Sequence, residues 1–134
     1  MAKRMIGLLL AVTMLTACAT ATTAAAAQTI TAQQAYNMMQ DGNAFMLIDV
    51  RTFAEFQAQH IASAVNISYD EIAFRSTAEL PKQHARILLY CQTGRRSAIA
   101  AQALAELGYT QVYDFGGIIS WPFGTVSSLE PYAA

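Results

Sequence analysis

Arg86-Ile87-Leu88-Leu89-Tyr90-Cys91-Gln92-Thr93-Gly94-Arg95-Arg96-Ser97 is the stretch on which the reading of this chain turns. Residues 86–90 form an apolar run of strand length, and a short loop with one glycine and two arginines follows. From 97 to 107 the chain is Ala-rich, with Ala100, Ala103, Leu104 and Leu107 on one helical face. Gly108 then stands where a C′ glycine belongs. Strand, loop and helix are therefore expected in that order, with Cys91 directly after the strand. Gly94 lets the loop fold tightly with its N–H groups turned inward, and the positive end of the next helix completes an anion-binding nest. Arg95 and Arg96 add positive charge at the same spot. Together these features favour thiolate at Cys91. Each feature alone has a plainer reading: a cysteine packed in a core, or two solvated charges on a first turn. Cations are unfavourable at a helix N-terminus, however, so two of them beside a lone thiol point to an expected anion.

The flanking sequence supplies the rest of a domain. Thr31-Ala32-Gln33-Gln34 has the form of a capping box, followed by Ala35, Met38 and Met39 at helical spacing and a stop at Asp41-Gly42-Asn43. Residues 45–50 read as a strand, and a short helix from Thr52 carries Phe53 and Phe56 on one side. A second short strand is expected over 64–67 and a brief helix over 69–75. Residues 111–115 form the last clear strand, running into Gly116-Gly117. Strands alternating with helices predict an α/β domain, a mostly parallel central sheet with helices on both faces. In such sheets ligands sit beyond the carboxyl ends of the strands, which is where Cys91 falls. No internal repeat and no second-domain boundary follows Gln28.

The N-terminal stretch is of another kind. Lys3 and Arg4 precede an apolar run over 5–15, and small residues occupy 16–27. That order reads as a secretory signal. The apolar run falls short of the ~20 residues that a permanent span requires. Residues 1–17 are thus assigned to a signal peptide, 18–28 to a flexible tether, and 29–134 to the folded domain. Leu15-Thr16-Ala17-Cys18 resembles a lipobox, which makes Cys18 a lipidation candidate and the mature N-terminus; this route is preferred. Cleavage after Ala25-Ala26-Ala27 is the alternative. Either route removes Cys18 and leaves Cys91 alone in an oxidising compartment, where an odd cysteine is a candidate reactive thiol. A buried inert cysteine, or a Cys18–Cys91 disulfide, is the competing reading.

The whole chain has eight Lys+Arg and nine Asp+Glu, and removal of Lys3 and Arg4 leaves six against nine. No basic stripe suggests a nucleic-acid partner. No cysteine–histidine cluster has metal-ligand spacing, so neither a metal nor another cofactor is expected.

The ordered motifs resemble the rhodanese superfamily. Cys-x-x-Gly-x-Arg-Ser, here residues 91–97, resembles its active-site loop. Ile48-Asp49-Val50-Arg51, Glu55-Phe56 and His60-Ile61-x-x-Ala64-x-Asn66-Ile67 resemble its upstream signature. Leu107-Gly108-Tyr109, Phe115-Gly116-Gly117-Ile118 and Trp121-Pro122 resemble its closing segment. The resemblance spans about residues 30–122 and implies a rhodanese-like three-layer α/β domain. It implies a sulfurtransferase in which Cys91 carries a persulfide and the loop of Gln92, Thr93, Gly94, Arg95 and Arg96 binds it. Thiosulfate is then a common donor, and cyanide or a thiol the acceptor. Asp49, Arg51 and Glu55 are expected as a charge cluster supporting the loop, together with Ser97. Arg96 is the fifth residue after Cys91; the related phosphatases and arsenate reductases carry one more residue before their arginine, where this chain has Ser97. A non-catalytic persulfide carrier is the alternative function, and a phosphatase- or arsenate-reductase-like enzyme a further one. The nearest subtype by resemblance is exported to the bacterial envelope, facing the periplasm, and attached to the membrane through an N-terminal lipid or free in the periplasm. Gln59, Ser63 and Ser68 depart from the family's glycines and proline, so the turn around them is expected to differ in geometry. His60 is expected as a structural hydrogen-bonder, His84 as exposed, and Trp121 as packing over the domain end, with a substrate wall as its other reading.

Overall fold

The computed structural model describes residues 26–129. The expected signal, the Cys18 lipobox and most of the expected tether lie outside the described residues.

The elements in chain order are β1 (Gln28–Thr29), α1 (Ala32–Gln40), β2 (Met46–Asp49), α2 (Phe53–Ala58), β3 (Val65–Asn66), α3 (Ile72–Glu79), β4 (Arg86–Cys91), α4 (Arg95–Glu106) and β5 (Gln111–Gly117). A 3₁₀ turn, Ile118–Ser120, follows β5. All strand pairs are parallel, in the order β1-β5-β4-β2-β3. β4 lies at the centre, and Ile87, Leu88, Leu89 and Tyr90 are fully buried. Such a continuous apolar strand is what a parallel sheet covered on both faces demands.

Alternation along β4 divides the interior in two. Ile87, Leu89 and Cys91 join Ile48, Val50, Ile72, Ala100, Ala101 and Leu104 in the core under α3 and α4. Leu88 and Tyr90 join Ala35, Leu47, Ile61, Phe115 and Ile118 in the core under α1. Each large side chain so buried contributes about 1.5–3 kcal/mol relative to exposure. The α/β architecture with helices on both faces is therefore the one expected.

The helix ends follow local chemistry. Thr31 caps α1 with a complete capping box to Gln34. Thr52 and Glu55 form a second box at the start of α2. After α4, Gly108 takes φ 92°, its N–H bonds to the Ala105 carbonyl, and Tyr109 N–H bonds to the Leu104 carbonyl. That pair of bonds is a Schellman stop.

Several boundaries differ from expectation. The helix expected over 69–75 runs over Ile72–Glu79, because Ser68 Oγ donates to Asp70 Oδ1 at 2.6 Å and holds residues 68–71 as a turn. Arg75 then bonds both Glu71 and Glu79, one turn to either side, and carries the helix beyond Arg75. Helix α4 begins at Arg95, two residues before the expected start, so both loop arginines lie in its first turn. Gln28, assigned to the tether, pairs with Tyr113 as the first residue of β1. Ser63 adopts φ 72°, a left-handed backbone normally left to glycine.

Candidate active site

Cys91 ends β4, at the carboxyl edge of the sheet's central strand. Its side chain continues the Ile87–Leu89 row and is buried, with 1 % of the residue exposed. The chain then reverses through Gln92 and Thr93 to Gly94, which takes φ 107° as the N-cap of α4. A side chain there would be strained, so glycine is required for the loop to close. Gly117 is needed for a different reason. A Cβ at that position would overlap the Gln92 carbonyl and Thr93 Cα, so the loop lies directly on the end of β5. The Ile119 N–H, from the 3₁₀ turn, bonds to the Gln92 carbonyl at 3.4 Å.

This geometry points a backbone donor at the sulfur and sets a hydroxyl beside it. Gly94 N–H donates to Cys91 Sγ at 3.0 Å, and the Ser97 hydroxyl lies 3.5 Å from it. Ser97 is fully buried and its hydroxyl also reaches the Gly94 and Gly116 carbonyls, at 3.1 and 3.4 Å. Burial pushes the Cys91 thiol pKa up, but the Ser97 hydroxyl and the amides of Ser97, Gly94 and Thr93 outweigh it, and the net shift is downward. The thiolate is therefore easier to form than on an ordinary cysteine, stabilised foremost by hydrogen bonds to the sulfur.

The two arginines expected to share that work part company. Arg96 makes two bonds of 2.9 Å to the two carboxylate oxygens of Glu55. That guanidinium, first among several causes, lowers the Glu55 carboxyl to about 2. Arg95 is exposed and, among the described residues, is in no ion pair.

Asp49 and Arg51 lie one layer below the loop, Asp49 fully buried and Arg51 3 % exposed. Arg51 bonds both Asp49 oxygens, at 2.6 to 3.1 Å, and the Gln59 carbonyl at 2.5 Å. Its remaining nitrogen donates to Gln92 Oε1 at 3.2 Å, which ties the residue after the cysteine to the end of β2. The guanidinium carbon also stands 5.8 Å from the centre of the Tyr90 ring. Asp49, Arg51, Glu55 and Ser97 thus all reach the Cys91 loop or its immediate supports. The side chain of Gln92, the carbonyl of Gln59 and the close approach at Gly117 were not anticipated. Only the Gly116-Gly117 pair carried a sequence signal for any of them.

His60 Nδ1 lies 2.8 Å from the Phe56 carbonyl, its ring stacks on Phe56 at 3.9 Å, and its backbone pairs with Val126. His84 is exposed. Trp121 packs with Phe115, Phe123 and Tyr36, and its indole N–H bonds to the Gly124 carbonyl. Among the described residues no group of His, Cys, Asp or Glu converges as metal ligands would. A cavity of about 440 Å³ between β1 and α4, lined by Gln28, Ala98, Ala101, Ala105 and Asp114 among others, includes no residue of the Cys91 loop.

The chain is similar to known proteins. Residues 31–121 match the family model of the rhodanese-like domain. The chain is 37% identical over 71 residues to the thiosulfate sulfurtransferase PspE of Escherichia coli, covering 53% of this chain and 68% of that protein. Among solved structures, a rhodanese with anions from E. coli superposes with a TM-score of 0.59 at 33% identity, over 63% of this chain and 99% of that one. The human single-domain sulfurtransferase TSTD1 superposes with a TM-score of 0.63 at 29% identity, over 71% and 95%. Some other relatives are longer proteins, of which the chain spans about 24%. A strand-end cysteine in an amide-lined loop, on a parallel α/β sheet of this family's shape, leaves one conclusion: the chain belongs to the rhodanese-like domain family, and it is a sulfurtransferase.

Proposed function

We propose that the protein takes sulfane sulfur from thiosulfate or a similar anionic donor, holds it as a persulfide on Cys91, and passes it to cyanide or a thiol. The observation that carries this reading is the Cys91 sulfur at the floor of the loop, accepting the Gly94 N–H at 3.0 Å with the Ser97 hydroxyl alongside. The thiolate attacks the outer sulfur of thiosulfate. The new S–S bond forms on Cys91, the donor's S–S bond breaks, and its electron pair leaves with sulfite. In the second half-reaction the acceptor attacks the outer sulfur of the persulfide and the Cys91 thiolate is the leaving group. Neither half calls for a general base in this reading, because the hydrogen bonds around Cys91 favour the thiolate over the thiol. The loop amides from Gln92 to Arg96 would hold the persulfide anion as they hold the thiolate. Asp49, Arg51, Glu55 and Ser97 act as positioning residues for that loop. The relative from E. coli is named for thiosulfate, and the E. coli rhodanese structure is described with anions, which supports an anionic donor.

We propose further that the domain works outside the cytoplasm. The basic, apolar, small order of the N-terminal residues supports export, and Leu15-Thr16-Ala17-Cys18 supports lipid attachment at Cys18 in the bacterial envelope. Membrane association would then run through that lipid alone.

Purified protein given thiosulfate and cyanide should release thiocyanate, and Cys91→Ser should release none. A wild-type protein that releases no thiocyanate, or a Cys91→Ser variant as active as wild type, overturns the reading.

A further inference from the structure

Most carboxylates of the described residues face an arginine. Arg86 holds Asp41, Arg51 holds Asp49, Arg96 holds Glu55, and Arg75 holds Glu71 and Glu79. Asp70, Glu106 and Asp114 are in no ion pair among those residues. Asp70 is exposed and accepts the Ser68 hydroxyl. The other two line one cavity, the space of about 440 Å³ between β1 and α4. Asp114 is the unusual member: it is 6 % exposed, and Asp49 is the only other carboxylate buried among the described residues. Buried charges are ordinarily paired, and Asp49 obeys that rule while Asp114 does not.

The fold explains how Asp114 comes to be there. It alternates with Val112 on the side of β5 that packs under α4, and its partner across β1 is Thr29. From α4, Ala98, Ala101 and Ala105 line the gap, and such small side chains along one helical face leave it open. Asp114 Oδ1 accepts the Gly116 N–H at 2.9 Å, and among the described residues no donor reaches Oδ2. Yet no enclosed side-chain nitrogen or oxygen among them lacks a partner. Oδ2 is therefore open to solvent, and in a residue so buried the opening is the cavity that it lines. Glu106, exposed and bonded by the Gln102 amide at 2.9 Å, adds a second negative charge at the rim. No Lys, Arg or His among the described residues lines the cavity.

We propose that this cavity binds a small aliphatic ammonium ion, its charged end against Asp114 Oδ2 and its chain along the alanine methyls. An ammonium brings several donors to an oxygen that has none, and the alanines bury its apolar part. The volume is that of a small-molecule site. A hard metal ion fits less well, since it takes six or more oxygens and no three His, Cys, Asp or Glu converge among the described residues. The cavity includes no residue of the Cys91 loop, so this proposal goes beyond sulfur transfer and stands or falls separately from it.

The test is a titration of the whole chain with n-butylammonium, followed through backbone amide chemical shifts, with 1-butanol and butyrate as neutral and anionic counterparts. Saturable shifts should gather on β1, α4 and β5 around Asp114, with a Kd on the order of 1 mM. The neutral and anionic counterparts should bind at least about tenfold more weakly. Asp114→Asn keeps an acceptor for the Gly116 N–H but removes the charge, and should weaken butylammonium about tenfold. Ala105→Leu fills the cavity from its wall and should abolish saturation while leaving the circular dichroism spectrum unchanged. Shifts that do not saturate, 1-butanol binding as tightly as butylammonium, or undiminished binding in Asp114→Asn would overturn the proposal. Should Asp114→Asn fail to fold, Ala105→Leu decides alone, and undiminished binding there overturns it. Nuclear Overhauser contacts between residues 19–25 and Ala105 in the ligand-free chain would mean that the chain fills the cavity itself, which also overturns it.

Discussion

Replacing Arg51 by methionine should destabilise the protein severely, and the amount follows from what the side chain leaves behind. Asp49 is fully buried, and apart from Arg51's side chain its carboxylate is bonded by the Arg51 backbone N–H at 2.9 Å. In Arg51→Met that carboxylate stays in the interior with its counter-charge gone, a change that costs about 3–5 kcal/mol in comparable buried pairs. The Gln59 carbonyl and the Gln92 side chain lose a donor as well, but Gln59 is exposed and Gln92 half-buried, so water replaces most of that loss. A loss near 4 kcal/mol is thus expected, a large share of the ~5–15 kcal/mol that holds a small domain together. For a domain of roughly a hundred residues that lowers Tm by about 15–30 °C. Urea unfolding at low temperature gives the free energy and calorimetry the midpoint. The double variant Asp49→Asn/Arg51→Met, which removes the stranded charge, should recover about 2 kcal/mol. A single variant that loses less than about 1 kcal/mol, or a double variant less stable than the single, would refute the claim that the buried charge dominates.

Three further outcomes follow from the site and the turn beside it. Ser97→Ala removes the hydroxyl that leads the downward pull on the Cys91 pKa against burial, so the midpoint of the pH profile for alkylation by iodoacetamide should move to higher pH; an unmoved or lower midpoint contradicts this. Gly117→Ala should cut sulfur transfer by about a hundredfold, the usual cost of displacing reacting groups by about an ångström, because its methyl would push the Gln92–Thr93 backbone off β5. Steady-state kinetics near the wild-type value would show that the loop has room. Ser63→Gly should stabilise by up to about 1 kcal/mol in urea unfolding: it relieves about 1–2 kcal/mol of left-handed strain and costs about 0.4–1 kcal/mol in chain entropy. A destabilised variant would mean the Ser63 side chain contributes more than its backbone costs.

Much of the architecture was legible because it rests on local signals. The 86–97 stretch announces strand, loop and helix through an apolar run, one glycine and an Ala-rich face, and each lies where expected within two residues. Capping residues placed α1 and α2 for the same reason. β1 escaped notice since Gln28 and Thr29 have no periodicity of their own and are a strand only because β5 offers an open edge. The shift of α3 came from the Ser68–Asp70 turn, which competes with helix for the same residues. At the site, Cys91 and its glycine were readable from one loop. The division between Arg95 and Arg96 was not, for it depends on Glu55, which is 41 residues away in sequence and is placed by a different helix. The same holds for Arg51 and Gln92, also 41 apart. Charge counted along a loop says how many cations are present; only the fold says which of them are already paired.

The most direct test of the account is the intact mass of the protein after brief treatment with thiosulfate and removal of excess donor. Wild type should gain one sulfur atom, lose it again on addition of cyanide, and show the gain on the peptide containing Cys91, while Cys91→Ser gains nothing. A wild type of unchanged mass, or an equal gain in Cys91→Ser, would contradict a persulfide on Cys91 as the centre of this protein's chemistry.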